Sequence, residues 1–392
     1  MTGVPASETL SIAAKVQELK KQGKDVISFT VGEPDFDTPS HIKAAAVEAI
    51  EQGFTKYTPG AGIPELRKAV SERIEQDYGL HYDWHQAVVT NGSKQGIYNF
   101  FQVVLNPGDE VIIPSPYWVS YPAMVRLAQG KPIFLKTTLK EQFKITPQKL
   151  KKAISKRTKI FILNSPSNPT GAFYDPAELE ALAEVLEDQN IWILSDDAYA
   201  GIVFDGKTFW SIAKYSKKIF QKTFILGTVS KSYAMTGWRV GFVLGPQPKI
   251  MEAIEVIQSQ STSGVNSIAQ RAALKALTAS QDTVKAMVKE FELRRNVALK
   301  VISEIPGVRF FTPQGAFYIF ADFSSYYGKK YRGQNIKGSI ALCEYLLNTG
   351  HVALMPGVYF GDDHYLRLSF SLDIQKIETG LERLAQSLKQ LE

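Results

Sequence analysis

Short apolar runs alternate with segments of helical periodicity between about residues 86 and 245 of the chain. The apolar runs predict strands at residues 87–90, 110–114, 132–135, 159–163, 191–195, 223–226 and 240–244. Most of them are continuously apolar, which is typical of strands that are covered on both faces. Between them lie periodic segments such as residues 175–186, in which Leu179, Leu182 and Leu186 fall on one helical face. This alternation predicts an α/β fold with a large, doubly wound, mostly parallel sheet.

A different pattern begins near residue 280, where Met287, Val288 and Phe291 follow the spacing of one long helix. Shorter segments at residues 315–321 and 365–369 predict strands, and two further helical segments accompany them. This second pattern indicates a smaller α+β unit. We therefore expect a large domain at residues 40–285 and a small domain made of residues 1–39 and 286–392.

The charge of the chain gives little indication of a charged partner. The 392 residues carry a net charge of +6 that is spread along the sequence. The densest basic run, residues 149–159, is interrupted by apolar positions and predicts a helix with one solvated face. Because no nucleic-acid fingerprint accompanies the charge, we expect no nucleic-acid partner.

The cysteine content and the length of the apolar stretches indicate in which cellular compartment the protein is expected. Cys343 is the single cysteine, which excludes an intrachain disulfide and suits a reducing cytoplasm. The N-terminus lacks the pattern of a secretion signal, and no apolar stretch approaches the length of a membrane span. We expect a cytoplasmic protein with no membrane partner.

Candidate chemistry begins with Lys231, in the segment SKSYAMTGWRVG at residues 230–241, which follows the predicted strand at 223–226. The carboxyl end of a buried strand is where α/β proteins place their chemistry. Lysine amines form Schiff bases with carbonyl cofactors, above all pyridoxal phosphate. Arg239 and Ser230 can hold the phosphate of such a cofactor. The alternative is a solvated loop lysine beside a structural arginine.

Other polar side chains follow neighbouring strands. Asp196 and Tyr199 come after the strand at 191–195, where the carboxylate can pair with a protonated pyridine nitrogen and the phenol with the ring oxygen. Asn168 follows the strand at 159–163 and can present its amide to the same oxygen. The alternatives are a helix-capping aspartate and a turn chosen for its shape.

Three further segments complete a possible cofactor and substrate site. Gly92, Ser93 and Lys94 lie between a strand and a helix, where backbone amides can seat a phosphate, although a simple helix cap has the same composition. Trp118, with Tyr117, can stack on a planar ring or lie buried under a loop. Arg367 on the strand at 365–369 can bind a carboxylate bidentately or form an internal salt bridge.

Two hydrolase classes are disfavoured. The five histidines form no metal-ligand pattern beyond the weak pair His81 and His85, so we expect no metal. The Gly-x-Ser-x-Gly motif of serine hydrolases is absent from the sequence.

Taken together, these segments resemble the class I aminotransferases, the pyridoxal-phosphate-dependent family of fold type I. The resemblance covers nearly the whole chain and includes VGEPDF at residues 31–36 and YTPG at residues 57–60. It implies catalytic roles for Lys231, Asp196 and Tyr199. It implies cofactor binding by Gly92, Ser93, Lys94, Trp118, Asn168, Asp196, Tyr199, Ser230, Lys231, Arg239 and Tyr57, and substrate binding by Gly32, Trp118, Asn168, Arg367 and Lys94. Tyr57 matches a tyrosine that reaches the phosphate of the neighbouring subunit, which implies a homodimer with shared active sites.

Within the family, PYWVSYP at residues 116–122 and NGSKQ at residues 91–95 resemble the bacterial aspartate aminotransferases, some of which also use prephenate. The resemblance implies transfer of the amino group of aspartate to 2-oxoglutarate by ping-pong aldimine and ketimine chemistry. It associates Lys94, Ser7 and Thr9 with the distal carboxylate of the substrate. The alternatives are an aromatic, prephenate or broad-range aminotransferase, and a pyridoxal-phosphate-dependent lyase, because the fold does not decide the reaction. A cofactor-sensing regulator is disfavoured because no DNA-binding segment is recognisable.

Overall fold

The structure is a computed structural model that describes the backbone of residues 8–392 and the side chains from residue 12 onward, apart from residue 13. The α-helices are α1 (Glu8–Lys21), α2 (Ser40–Glu51), α3 (Pro64–Tyr78), α4 (Ser93–Val104), α5 (Tyr121–Leu127), α6 (Pro147–Ala153), α7 (Pro176–Glu187), α8 (Lys217–Phe220), α9 (Pro248–Ser261), α10 (Ser267–Thr278), α11 (Asp282–Ser303), α12 (Ser339–Gly350) and α13 (Ile374–Leu388). The strands are β1 (Ile27–Ser28), β2 (Ala87–Thr90), β3 (Glu110–Ser115), β4 (Lys131–Lys136), β5 (Thr158–Asn164), β6 (Trp192–Asp196), β7 (Thr223–Thr228), β8 (Gly241–Leu244), β9 (Tyr318–Asp322), β10 (Lys330–Tyr331), β11 (Gln334–Asn335), β12 (Val352–Ala353), β13 (Met355–Pro356) and β14 (Tyr365–Ser369).

The larger sheet has seven strands in the order β2-β8-β7-β6-β5-β3-β4. The pairs β3–β4, β3–β5, β5–β6 and β6–β7 are parallel, and β8 runs antiparallel to both β2 and β7. Helices cover both faces of this sheet, so its central strands are buried on each side and read as continuous apolar runs. All seven strands predicted for this region are present, with bounds that differ by up to two residues.

Local sequence signals set the ends of several helices. Pro176 occupies the first turn of α7, and the Glu178 carboxylate accepts the backbone N–H of Asp175 at 2.8 Å, which completes a cap at that end. At its C-terminus, α3 is followed by Gly79, whose φ of 66° lies in the left-handed region. The predicted helix at residues 149–159 is wrong in its extent. The helix α6 ends at Ala153, and residues from Thr158 onward form β5, because their apolar side chains are buried in the larger sheet.

The C-terminal unit contains a three-stranded antiparallel sheet in the order β13-β14-β9, with α11, α12 and α13 packed nearby. The N-terminal segment joins this unit, since β1 pairs with β12 in parallel and Phe29 accepts the backbone N–H of Ser369 at 2.9 Å. This contact agrees with a small domain that draws on both ends of the chain. The proposed boundary between residues 285 and 286 falls within α11, and the division into two domains stays a proposal.

Within residues 8–392, no helix is both long enough and apolar enough to cross a membrane.

Candidate active site

A cavity of about 150 Å³ lies at the carboxyl edge of the larger sheet, where the sheet meets the C-terminal unit. Asn164 ends β5, Asp196 ends β6, and Lys231 follows the end of β7 by three residues. The side chains or backbone that line the cavity are those of Gly32, Ser93, Trp118, Val119, Tyr121, Asn164, Asn168, Asp196, Ala198, Tyr199, Lys231, Tyr318, Phe360 and Arg367. Parallel strands thus deliver polar groups from separate parts of the sequence to one place.

Lys231 is a partly buried lysine whose amine donates to the backbone oxygen of Gly32 at 2.5 Å. Burial lowers the pKa of Lys231 from 10.5 to about 8, and the positive charges of Arg367 and Arg239 act in the same direction. The backbone around it is constrained, because Ala234 and Arg239 have φ values of 51° and 56° in the left-handed region. Non-glycine residues in that region are characteristic of functional loops. The surroundings therefore hold a lysine amine that is unusually easy to deprotonate.

Asp196 is buried and accepts two hydrogen bonds, from the Tyr121 hydroxyl at 2.5 Å and from the backbone N–H of Ala198 at 3.3 Å. Burial raises the pKa of Asp196, while these two hydrogen bonds and the charge of Lys231 oppose the rise. No helix begins at this residue, because the chain continues into a turn, so the helix-cap interpretation fails here. A cationic group that entered the cavity beside Asp196 would restore the charge partner that burial demands.

The neighbouring Asp197 has different surroundings. Its Oδ1 accepts from the Ser195 hydroxyl at 2.6 Å, and its Oδ2 has no partner within hydrogen-bond distance, although the Tyr78 phenol faces it. Burial raises the pKa of Asp197 well above its usual range, and the charge of Asp196 adds to the rise. Burial thus shifts Asp197 toward its neutral form, and this residue lines a different cavity from Asp196.

Arg367 lies buried on β14 with its guanidinium directed into the cavity. It donates to the backbone oxygen of Thr30 at 2.7 Å and to Asn168 Oδ1 at 3.1 Å, and its Nε has no partner. None of the charges that act on it from the described side chains is a carboxylate, so the salt-bridge alternative fails. The guanidinium is oriented by neutral groups and keeps its positive charge available to an anion.

Two buried phenols stand between Arg367 and Lys231. The hydroxyls of Tyr199 and Tyr318 lie 2.8 Å apart, and either can be the donor. The ring of Tyr318 lies 4.5 Å from the Arg367 guanidinium carbon, and the ring of Tyr199 lies 5.8 Å from the Lys231 amine. Burial raises the pKa of both phenols, so both keep their protons at neutral pH.

The segment after β2 approaches Arg239 closely. A Cβ atom on Gly92 would lie 2.5 Å from Arg239 Nη2, and one on Gly241 would lie 2.4 Å from the backbone nitrogen of Ser93. Glycine is therefore required at both positions for the arginine and the start of α4 to meet. Ser93 opens α4, whose first amides point away from the helix toward the cavity side. This edge of the site is suited to an anion.

The structure brings together eight of the predicted site residues around the cavity, namely Gly32, Ser93, Trp118, Asn168, Asp196, Tyr199, Lys231 and Arg367. Gly92, Ser230 and Arg239 lie in the segments next to it, and Ser230 Oγ accepts from the Thr228 hydroxyl at 2.8 Å. Tyr117 is not part of the cavity, because its ring stacks on Phe134 at 4.9 Å.

Lys94 and Tyr57 stand apart from the cavity. Lys94 is an exposed residue, and its amine lies 5.0 Å from the centre of the Trp118 ring. The pKa of Lys94 is lowered mainly by loss of hydration and to a smaller extent by the positive charge of Arg239. Tyr57 is 96% exposed in the isolated chain. Ser7 lies outside the described residues, and so does the side chain of Thr9.

The sequence did not predict four residues that supply polar groups to the site, namely Tyr121, Asn164, Tyr318 and Thr30, nor three further lining residues, Val119, Ala198 and Phe360. Asn164 ends β5 and binds the backbone oxygen of Asp196 at 2.9 Å, so its position at a strand end was a usable signal. Tyr121 and Tyr318 sit within apolar patterns and differ from core aromatic residues only by their buried hydroxyls. Thr30 contributes a backbone oxygen, which no side-chain pattern reveals.

Comparison with known proteins now assigns the family. A family model described as aminotransferase class I and II matches residues 24–384, and the chain belongs to this family. An aspartate/prephenate aminotransferase of Nitrosomonas europaea is 42% identical over 388 residues, which cover 98% of each chain. Members of the family use pyridoxal phosphate and act on amino acids and oxo acids. The expected class of enzyme is confirmed.

Solved structures agree with this assignment. The aspartate aminotransferase from Rhizobium meliloti is 41% identical, with a TM-score of 0.96 over 100% of this chain and 98% of that chain. The Thermus thermophilus aspartate aminotransferase with maleate is 39% identical, with a TM-score of 0.91 over 98% of this chain and 97% of that chain. The expected fold is confirmed as well.

The lowered pKa of Lys231 predicts a pH-dependent reactivity. Acetic anhydride attacks only neutral amines, so acetylation of Lys231 in the cofactor-free protein should rise with pH through a midpoint near 8. Mass spectrometry of peptides measures the modified fraction at each pH. The carboxylate of Glu33 opposes the lowering of the Lys231 pKa, so Glu33→Gln should move the midpoint lower still. A midpoint near the ordinary 10.5 would contradict the burial of this amine.

Proposed function

We propose that this protein is a pyridoxal-phosphate-dependent aminotransferase that moves the amino group of aspartate to 2-oxoglutarate. The observation that carries the proposal is the presence in one cavity of an easily deprotonated lysine, a buried aspartate and a buried, unpaired arginine. The lysine can attach a carbonyl cofactor, and the aspartate can pair with a cationic ring nitrogen. The arginine can bind a substrate carboxylate. The names of the Nitrosomonas, Rhizobium and Thermus proteins support aspartate as a substrate.

The residues present fit the cofactor on steric and electrostatic grounds. The Arg239 guanidinium lies against Gly92 at the start of α4, so an anion bound at that end of the helix would meet the guanidinium and the first amides of α4, and Ser93 and Ser230 are the hydroxyl donors proposed for it. Asp196 lacks a full charge partner, which a protonated ring nitrogen would supply. When bound, pyridoxal phosphate supplies an aldehyde for attachment and a ring that withdraws electrons from the substrate.

Each surrounding side chain then has a proposed task. The Lys231 amine holds the cofactor and, once released, takes the proton from the substrate α-carbon, which a pKa near 8 suits. Tyr199 and Asn168 would bind the ring oxygen of the cofactor, and Trp118 would stack on its ring. Asp196 would keep the ring nitrogen protonated through its charge.

Arg367 is proposed to hold the substrate α-carboxylate. Its Nε is buried and has no hydrogen-bond partner among the described residues, so a carboxylate that bound the guanidinium bidentately could supply one. Gly32 leaves room for the substrate beside Lys231. Lys94 is proposed to attract the second carboxylate of a dicarboxylic substrate. The maleate bound to the Thermus enzyme is a dicarboxylate, which favours this assignment, whereas the name of the Nitrosomonas relative keeps prephenate as a second candidate substrate.

We further propose a homodimer with shared sites. The proposal rests on Tyr57, which the family resemblance assigns to the phosphate of a neighbouring subunit and which is 96% exposed in the isolated chain. Sedimentation should give about twice the chain mass of 43.6 kDa, and a monomer at micromolar concentration would refute the dimer. A cytoplasmic location stays a prediction that rests on the single, buried cysteine.

The first test locates the cofactor. Borohydride reduction of the protein reconstituted with pyridoxal phosphate, followed by peptide mapping, should place the pyridoxyl group on Lys231, because its amine is the one that faces the cavity. Lys231→Ala should lose the label and the turnover. Labelling of another lysine in its place would refute the assignment.

The second test concerns the ring nitrogen. Asp196→Asn should lower kcat by about 30-fold or more, since losing one partner of a buried charge pair costs roughly 2–5 kcal/mol. Asp197→Asn is a matched control, because Asp197 is the adjacent carboxyl group, is buried to a similar degree and lines a different cavity. Steady-state kinetics on the three proteins decide the point. Equal losses in both variants would show that Asp196 has no special role.

The third test concerns the substrate class. Arg367→Ala should damage turnover of aspartate and alanine alike, because both carry an α-carboxylate. Lys94→Ala should lower kcat/KM for aspartate relative to alanine, by up to about 30-fold for a pair that becomes half-buried.

Lys68 offers the matched control for this comparison. It also lies over a tryptophan ring, 5.4 Å from that of Trp84, but outside the cavity. Lys68→Ala should therefore leave the ratio of kcat/KM values unchanged. If Lys94→Ala also left it unchanged, Lys94 would not select dicarboxylates, and a broad-range aminotransferase would be the better proposal.

A further inference from the structure

Tyr318 is a cavity residue that contacts Arg367 on the carboxylate-binding side of the site and Tyr199 on the cofactor-binding side. It is fully buried at the start of β9, and it lies on the strand that pairs with β14, diagonally across from Arg367. Its ring lies under the Arg367 guanidinium at 4.5 Å, and its hydroxyl lies 2.8 Å from that of Tyr199. A Cβ atom on Gly32 would come within 3.3 Å of the same hydroxyl, so the phenol is closely enclosed.

We propose that Tyr318 is a positioning residue that couples Arg367 to Tyr199, through its ring on one side and its hydroxyl on the other. The proposal rests on the proposed function, in which Tyr199 donates to the ring oxygen of the cofactor. A Tyr199 hydroxyl that donates in this way must accept from Tyr318, because the two hydroxyls share one hydrogen bond. Accepting a hydrogen bond makes a hydroxyl a stronger donor. Tyr318 thereby strengthens the contact that Tyr199 makes with the cofactor.

Several other ionisable groups face this pair of phenols. Tyr199 is approached by Arg367, Asp196, Lys231 and Tyr121, and Tyr318 is approached by Arg367. Binding of an anionic substrate at Arg367 changes the charge above the Tyr318 ring and hence the polarity of its hydroxyl. Through Tyr318 and Tyr199, the binding of an anion at Arg367 thus changes the strength of the hydrogen bond that Tyr199 donates to the cofactor oxygen.

The test uses the absorbance of the bound cofactor, whose titration midpoint reports the proton affinity of the group that Tyr199 contacts. Tyr318→Phe keeps the ring and removes the hydroxyl, so the midpoint should rise by about 0.3–1 pH unit while KM for aspartate changes little. Tyr326→Phe is the matched control, because it removes another hydroxyl of the C-terminal unit, which donates to the backbone oxygen of Pro306 at 2.6 Å. It should leave the midpoint unchanged.

A double-mutant cycle with Tyr199→Phe separates coupling from general destabilisation. If Tyr318 acts through Tyr199, adding Tyr318→Phe to Tyr199→Phe should produce no further shift. An unchanged midpoint in Tyr318→Phe, or a full additional shift in the double variant, would overturn the proposal.

Tyr318→Leu removes the ring as well and should raise KM for aspartate at least about twofold, as expected from the loss of a cation–π contact. A KM equal to that of Tyr318→Phe would refute the link to Arg367. The wild-type protein separates the two proposals. If it formed no absorbing complex with pyridoxal phosphate, the proposed function itself would be refuted, whereas a normal complex with unchanged variants would refute only the role of Tyr318.

Discussion

The constraint on which this site depends is the burial of ionisable groups that form no salt bridge within the described residues. Burial raises the pKa of Asp196 and lowers the pKa of Lys231 and of Arg367, so each group is shifted toward its neutral form. Hydrogen bonds from Tyr121 and from the backbone of Ala198 oppose the rise at Asp196, and the Tyr318 and Tyr199 phenols oppose the lowering at Arg367. A salt bridge within the protein would have been tighter, but it would also have consumed the charge that a ligand needs.

The N-terminal segment has a direct part in meeting this constraint. The backbone oxygen of Thr30 accepts from Arg367, and that of Gly32 accepts from Lys231, so two positions of one segment, separated by a single residue, bind both cations. The segment is held in place because β1 pairs with β12 and because Phe29 hydrogen-bonds to Ala353 and Ser369. A strand of only two residues is thus positioned by the C-terminal unit and in turn stabilises the charges of the cavity.

The sequence was sufficient to predict the sheet and much of the site, for reasons that lie in the patterns themselves. Strands buried on both faces give continuous apolar runs, and residues that follow such runs are brought to one edge, as Asp196 and Lys231 are. The backbone oxygens of Thr30 and Gly32 could not be predicted, since every residue has one. The hydroxyl pair of Tyr199 and Tyr318 joins residues 119 positions apart, and only the packing of β9 against the large sheet unites them.

The exposure of Lys94 and Tyr57 gives the proposed dimer a physical role in specificity. An ion pair at an exposed lysine contributes about 0–1 kcal/mol, whereas a pair that loses its solvent contributes more. Arg367 is already buried within one chain and binds the carboxylate that all amino acids share. Lys94 is exposed in that chain, and so is Tyr57, which the family resemblance assigns to the neighbouring site. Selection of a second carboxylate therefore requires a surface that excludes water from Lys94, and in this arrangement a partner subunit is the element that can supply it.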